Sequence, residues 1–150
     1  MEYKIGIAGL GLIGASLAKA IKKNTDCTVL GLDIDAQTLD AALQDGSIDG
    51  ELLDFSELDI LIVALFPGAT IEFVQEHIGQ LRKGCIVMDI CGVKRAIVSS
   101  IAQLCKSHQV EFIGGHPMAG RERWGYQNSS ENLFAGSSMI LTPIFTDSWA

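Results

Sequence analysis

Proline and basic residues are scarce in this sequence, and both shortages narrow what it can be. The 150 residues include only three prolines, and 11 Lys and Arg stand against 18 Asp and Glu, for a formal net charge of −7. A net negative surface repels nucleic acid and anionic lipid, so we expect neither as a partner. No uninterrupted run reaches the roughly 20 apolar residues that a membrane helix needs.

The chain also lacks the cysteine patterns of metal sites and of disulfide frameworks. Its four cysteines form no C-x-x-C, and the only close Cys/His pair is Cys105 with His108. One such pair does not make a metal site. We therefore expect reduced, mostly buried thiols, no metal, and a cytoplasmic location.

What the chain does have is a regular alternation of two patterns. Hydrophobic residues make up 48% and charged residues 19%, which excludes disorder and fits one domain. Short β-branched runs alternate with helical patterns, which predicts an α/β fold. We expect a Rossmann-type, doubly wound, mainly parallel sheet of about six or more strands between two helical layers. The predicted strands are Tyr3–Ala8, Cys27–Asp33, Ile60–Leu65, Cys85–Ile90, Glu111–Gly114 and Ser138–Thr142; the predicted helices are Leu12–Lys23, Asp35–Gln44, Thr70–Arg82 and Val93–Ser107.

A glycine-rich turn joins the first predicted strand to the first helix. Gly9 to Gly14 read G-x-G-x-x-G. In a dinucleotide site Gly9 permits the tight turn, Gly11 lets the diphosphate approach the backbone, and Gly14 lets helix and strand pack closely. Leu12 and Ile13 open the helix, whose free N–H groups attract phosphate. The alternative is a plain strand-to-helix turn.

An acidic residue ends the second predicted strand. Asp33 lies 19 residues after Gly14 and is followed by Ile34 and Asp35, with no Lys or Arg beside them. Its carboxylate is placed to accept hydrogen bonds from a ribose, and two carboxylates would repel a 2′-phosphate. The pattern predicts NAD in preference to NADP. The alternative role for Asp33 is a strand-end cap.

Charged residues follow the fourth predicted strand, at the sheet edge where ligands bind in such folds. Asp89 ends that strand and either caps the next helix or contacts the cofactor. Lys94 and Arg95 begin that helix, where cations oppose the helix dipole. An anion near Lys94 would relieve this conflict, and it is either a substrate carboxylate or Asp89.

A histidine follows the fifth predicted strand, in Gly114-Gly115-His116-Pro117, at the start of a long polar loop over 115–136. Beside a nicotinamide, His116 would accept the proton of a substrate hydroxyl as hydride leaves. The alternative is a structural histidine.

Taken together, these segments resemble the nucleotide-binding half of the prephenate and arogenate dehydrogenases. The similarity is carried by Gly9–Ala18, Asp89–Lys94, Gly114–Gly120 with Glu122, and Leu133-Phe134 before Ile140–Pro143. The resemblance implies NAD-dependent oxidative decarboxylation of prephenate to 4-hydroxyphenylpyruvate, or of arogenate to tyrosine, in tyrosine biosynthesis. It also implies that His116 is the catalytic histidine.

The resemblance extends to substrate residues, with two departures. It implies that Lys94, Arg121 and Glu122 serve the substrate. Gly92 stands where the family commonly has a serine, so Cys91, a water or another group must replace its hydrogen bond. Arg121 stands where a small hydroxyl residue is common, and either holds a carboxylate or faces solvent.

Members of this family continue into a helical domain that forms a homodimer and closes over the substrate. We expect residues 1–150 to be the NAD-binding domain of such a chain, with little turnover alone, and the tail over 144–150 suggests a domain cut from a longer protein. Two other functions stay open: a different hydroxy-acid dehydrogenase, and a regulatory module that binds NAD without chemistry.

Overall fold

The computed structural model describes residues 2–144 as a seven-stranded sheet with helices on both faces. Phe145 to Ala150, which suggested a continuing chain, lie outside the described residues. The strands are β1 (Lys4–Ala8), β2 (Thr28–Leu32), β3 (Gly50–Glu51), β4 (Ile60–Val63), β5 (Ile86–Asp89), β6 (Glu111–Pro117) and β7 (Met139–Ile144). The helices are α1 (Leu12–Asn24), α2 (Ala36–Gln44), α3 (Pro67–His77) and α4 (Arg95–Ser107), with short 3₁₀ turns at Ile78–Gln80 and Tyr126–Asn128.

The sheet order is β3-β2-β1-β4-β5-β6-β7, and within residues 2–144 only the β6–β7 pair is antiparallel. The parallel register places Ala8, Val63 and Asp89, the last residues of β1, β4 and β5, in one row with Gly114 of β6. The loops after these strands therefore meet at one edge. The predicted doubly wound fold is confirmed.

Each face of the sheet packs against its own pair of helices. Leu61 and Val63 of β4 join one buried cluster with residues of α3 and α4, whereas Ile62 joins the other with residues of α1 and α2. Alternate side chains of a strand point to opposite faces. The wholly apolar sequence of β4 is thus explained by burial on both sides.

The structure differs from the predicted elements by more than two residues in three places, and the ends of the other elements shift by at most two residues. The helix predicted for Thr70–Arg82 begins at Pro67, a residue favoured in the first helical turn, and ends at His77. The two-residue β3 lies in a segment predicted as loop, since so short a strand has no readable period. The strand predicted to end at Gly114 continues to Pro117, because β7 pairs with it in antiparallel fashion.

The long loop between β6 and β7 is fastened to α1 and α2. Tyr126 donates to Asp45 at 2.5 Å, and the ammonium of Lys19 lies 4.4 Å from the centre of its ring. Ser130 N–H donates to the buried Ser16 Oγ at 3.0 Å. Burial and the neighbouring carboxylate raise the pKa of Tyr126 to about 12, so it stays a donor at neutral pH. These contacts hold the loop across the helical layer.

A carboxylate at the start of β4 holds the N-terminal end of the sheet. Asp59 accepts from the Lys4 backbone N–H at 2.7 Å and pairs with Arg82. The pKa of Asp59 is lowered, chiefly by the Lys4 backbone N–H and then by Arg82. A carboxyl whose pKa is lower in the folded chain stabilises the fold above its unfolded pKa, and the gain is lost as the pH falls through the folded value.

We therefore expect Asp59→Asn to lower the free energy of unfolding by about 1 kcal/mol at pH 7, because an amide accepts these bonds more weakly. Urea titrations should show the difference shrinking as the pH falls through the folded pKa of Asp59. Glu57→Gln is the matched control, since Glu57 is an exposed partner of Lys4, with a side chain 70% accessible. An equal loss in both variants, or a constant loss at all pH values, would contradict this role.

Candidate functional site

The glycine-rich turn between β1 and α1 leaves room at one position and none at the other two. A Cβ on Gly14 would lie 1.9 Å from the Gly9 carbonyl oxygen, and one on Gly9 would lie 2.5 Å from the Ala64 carbonyl oxygen. Gly9 also has φ +91°, which side-chain-bearing residues rarely adopt. A Cβ on Gly11 would meet nothing within 4 Å. The turn is tightly packed inside and open at Gly11.

The start of α1 carries no side-chain cap. Gly11 is the N-cap residue, and no acidic residue lies in the first turn. The first backbone N–H groups of a helix lack partners inside the helix and point along its axis with a partial positive charge. The exposed Gly11 and the half-buried Leu12 and Ile13 therefore form a cradle suited to a phosphate.

Asp33 lies directly beside this turn. Its Oδ2 accepts from the Leu10 N–H at 2.8 Å, and its Oδ1 accepts from the Asp35 N–H at 2.9 Å. Both bonds fix the orientation of a half-buried carboxylate at the carboxyl end of β2. Asp33 thus supports the glycine turn while keeping acceptor capacity for a ligand.

An apolar cavity of about 200 Å³ adjoins the turn and Asp33. Leu65, from the loop after β4, and Ala69 and Phe73 of α3 form its far wall. Ala64, directly after β4, limits the space at both glycines of the turn, since a Cβ on Gly9 or on Gly14 would meet its atoms. This wall was not predicted, and a small residue near the end of an apolar run is its one signal in the sequence.

His116 lies on the same edge of the sheet, within β6. It pairs with Ile140 of β7 and is half-buried. His116 was predicted to lie in a turn beyond the strand. The antiparallel pairing with β7 extends β6 through this residue. Three strand spacings separate β6 from β1, about 14 Å. The imidazole therefore lies across the edge from the glycine turn.

Asp89 and Lys94 form an ion pair near His116. Asp89 is fully buried at the end of β5, and Lys94 Nζ lies 2.5 Å from its Oδ2. The Cys91 N–H donates to the same oxygen at 3.0 Å. Asp89 Oδ1 has no partner among the described residues. Lys94 was predicted to lie near either a substrate carboxylate or Asp89, and its ion-pair partner in the structure is Asp89.

The thiol of Cys91 does not reach the histidine side of the site. Its Sγ donates to the Leu65 carbonyl at 3.3 Å and lies 3.7 Å from the Thr70 hydroxyl. Burial raises the pKa of Cys91, which keeps the thiol protonated. Gly92 instead faces the ring of His116, with space for a small side chain between them. Cys91 is therefore not the replacement for a serine at position 92.

Arg121 and Glu122 lie in the exposed part of the loop after β6. Within residues 2–144 the structure gives neither of them a hydrogen bond or an ion pair. Their service to a substrate therefore stays a prediction.

A larger cleft of about 530 Å³ lies at the other end of α1, away from the glycine turn. Its three lysines are paired with carboxylates: Lys19 with Asp45, Lys22 with Asp49 and Lys23 with Glu131. Size alone does not make this cleft the better candidate, since its charges are already matched.

In the part of the chain that the structure describes, no helix has the length and apolarity to span a bilayer, and no group of metal-binding side chains occurs.

The sheet order, the glycine turn and the anchored acid at the end of β2 together define a Rossmann-type nucleotide-binding domain. Comparison with known families agrees: the model described as "Prephenate dehydrogenase, nucleotide-binding domain" matches residues 17–149. The chain belongs to this family. The match begins after the glycine turn, so the geometry of the turn is independent support.

Named relatives and solved structures point the same way. Prephenate dehydrogenase of Bacillus subtilis is 36% identical over 95% of this chain, and cyclohexadienyl dehydrogenase of Zymomonas mobilis is 30% identical over 93%. Synechocystis arogenate dehydrogenase superposes with a TM-score of 0.85 at 32% identity, covering 95% of this chain and 50% of that one. Prephenate dehydrogenase of A. aeolicus, in complex with hydroxyphenyl propionate and NAD+, gives 0.85 at 26% identity, covering 97% and 52%.

The chain spans less than half of the curated relatives it matches. It covers 40% of the B. subtilis protein and 48% of the Z. mobilis protein. The predicted family and fold are confirmed by these comparisons, whereas the activity belongs to the proposal below.

Proposed function

We propose that this chain is the NAD-binding part of a prephenate or arogenate dehydrogenase. In this proposal the remaining helical domain of the working enzyme supplies the dimer and further substrate contacts. The reaction converts prephenate to 4-hydroxyphenylpyruvate, or arogenate to tyrosine, with loss of hydride and CO2. The observation that carries the proposal is that one sheet edge holds both an open glycine cradle and a half-buried imidazole.

The residues at the glycine-turn end of this sheet edge are suited to binding a dinucleotide. Gly11, Leu12 and Ile13 would hold the diphosphate through backbone N–H groups, because a Cβ is missing where it must approach. Asp33 would accept hydrogen bonds from the adenosine ribose. The apolar cavity beside Asp33 suits the adenine ring, since its wall is formed by Leu65 and Phe73.

The residues at the His116 end of this sheet edge are suited to proton transfer. When bound, the nicotinamide supplies the acceptor for the hydride. His116 would accept the proton of the substrate hydroxyl as the carbon–hydrogen bond breaks. Loss of CO2 then returns an electron pair to the ring, and His116 gives the proton back to the oxygen of the new phenol. Aromatisation supplies much of the driving force, so the protein chiefly positions the reactants.

The site supports NAD over NADP. Asp33 and Asp35 present two carboxylates at the end of β2, and the backbone bond from Asp35 fixes Asp33 in place. A 2′-phosphate would meet both negative charges.

The named relatives include prephenate, arogenate and cyclohexadienyl dehydrogenases. In this proposal the other domain of the enzyme determines the choice between these substrates.

We expect calorimetric titration of the chain to show tighter binding of NAD than of NADP. Asp33→Asn should weaken NAD binding by about tenfold or more and narrow the preference, because a charged acceptor is lost. Asp40→Asn, the same change on the exposed surface of α2, is the matched control and should leave both affinities unchanged. Tighter binding of NADP by the unaltered chain would sink this part of the proposal.

A further inference from the structure

The ammonium group of Lys94 is surrounded by three oxygen atoms of the protein. It donates to Asp89 Oδ2 at 2.5 Å, to the Cys91 carbonyl at 2.5 Å and to the Gly115 carbonyl. An ammonium has three N–H donors, so all of them are used. The Lys94 side chain is 21% accessible and that of Asp89 is inaccessible, so water competes weakly for these bonds.

The two carbonyl groups belong to residues that adjoin the seat of the imidazole. Cys91 precedes Gly92, and Gly115 precedes His116. Gly92 and His116 face each other, since a Cβ on Gly92 would lie 3.5 Å from Cε1 and 3.6 Å from Nε2 of the ring. The Lys94 ammonium thus joins the loop after β5 to strand β6, at the residues that directly precede Gly92 and His116.

We propose that Lys94 is a positioning residue that fixes His116 by clamping these two backbone segments, with Asp89 as its buried counter-charge. The proposal rests on the catalytic role proposed for His116. Lys94 acts through the imidazole and makes no contact with substrate, because its three donors are already used.

The clamp explains Gly114, and the close approach of β5 explains Gly115. A Cβ on Gly114 would lie 3.2 Å from Cδ and Cε of Lys94, so the lysine stem crosses β6 directly above Gly114. A Cβ on Gly115 would lie 2.7 Å from the Asp89 carbonyl oxygen. Larger residues at either position would push the lysine or β5 away from β6.

The clamp also explains a cation at the N-cap of α4. Lys94 occupies that position and has no capping hydrogen bond from its side chain. A positive charge is disfavoured there, because helix N-termini carry a partial positive charge. The buried carboxylate of Asp89 offsets the conflict, and the lysine side chain turns away from the helix toward β6.

The test is the ring signal of His116 in the 150-residue chain, labelled at its histidine ring carbons. The chain has three histidines, so a His116→Asn spectrum identifies the signal. In Lys94→Met we expect the His116 cross-peak to shift or split, while those of His77 and His108 stay in place.

Lys22→Met is the matched control, since Lys22 forms an ion pair with Asp49 at 2.7 Å on α1. It should lower stability without moving the His116 signal. Should Lys94→Met fail to fold, Gly114→Ala provides a milder disturbance, because the added methyl group presses on the lysine stem while its charge remains. A smaller shift of the His116 signal is then expected.

An unmoved His116 signal in folded Lys94→Met, or in Gly114→Ala when that is the folded variant, would overturn the clamp. This result is separable from failure of the proposed function. A chain that does not bind NAD would sink the proposed function, yet the comparison of ring signals would still decide whether Lys94 positions His116.

Discussion

Replacing His116 with asparagine should lower kcat for prephenate by about 10²- to 10⁴-fold, the range that positioned acid–base groups contribute. The assay needs a complete enzyme, so we suggest a hybrid that joins residues 1–150 to the part of the B. subtilis relative beyond the region it matches. Asparagine keeps the size and polarity of the side chain but does not accept the hydroxyl proton. KM for NAD should change little, because His116 lies across the sheet edge from the glycine turn.

His108→Asn in the same hybrid is the matched control. His108 is an exposed residue at the C-terminal end of α4 and takes part in local hydrogen bonds with the Leu104 carbonyl. The control should turn over prephenate at the unaltered rate. Full activity of His116→Asn would remove the catalytic role and favour the NAD-binding regulatory module. Turnover of a different hydroxy acid in preference to prephenate and arogenate would favour the other dehydrogenase.

Gly14→Ala should be the most damaging single change to the fold. The added methyl carbon would lie 1.9 Å from the Gly9 carbonyl oxygen and 3.0 Å from the Cβ of Ala64, and backbone there has no room to retreat. Overpacking of this kind costs about 3 kcal/mol or more. Chemical denaturation should show the loss, and NAD binding should disappear because α1 no longer sits against β1.

Gly11→Ala separates binding from folding. Nothing lies within 4 Å of a Cβ at Gly11, so the stability should change by less than about 1 kcal/mol. The methyl group would occupy the space needed by the diphosphate, and NAD binding should weaken by about tenfold or more. Equal effects of the two substitutions on stability, or unchanged NAD affinity in Gly11→Ala, would contradict the cradle.

Most of the fold could be predicted from local patterns in the sequence. The apolar run at Ile60–Leu65 predicted a strand buried on both faces, and β4 is such a strand. The spacing from Gly14 to Asp33 predicted an acid next to the glycine turn, and Asp33 accepts the Leu10 N–H there. Both signals are short in range, since they follow from strand periodicity and from one strand–helix–strand unit.

What the sequence did not reveal depends on contacts between distant segments. The extension of β6 to Pro117 requires β7, more than 20 residues further along the chain. The pairing of Lys94 with the Gly115 carbonyl joins residues 21 positions apart, and no local pattern distinguishes it from a substrate contact. The wall that Ala64 builds against Gly9 and Gly14 likewise appears only when β4 lies beside β1.

In the proposed enzyme, one sheet edge holds the coenzyme's diphosphate at the glycine turn and its nicotinamide beside His116. The most direct measurement is an NMR titration of the labelled chain with NAD and, separately, with ADP-ribose, which lacks the nicotinamide. Both ligands should shift the amide signals of Gly11, Leu12 and Ile13, and only NAD should also shift the His116 ring signal. Unmoved amide signals at the turn, or a His116 ring that responds to neither ligand, would contradict the claim.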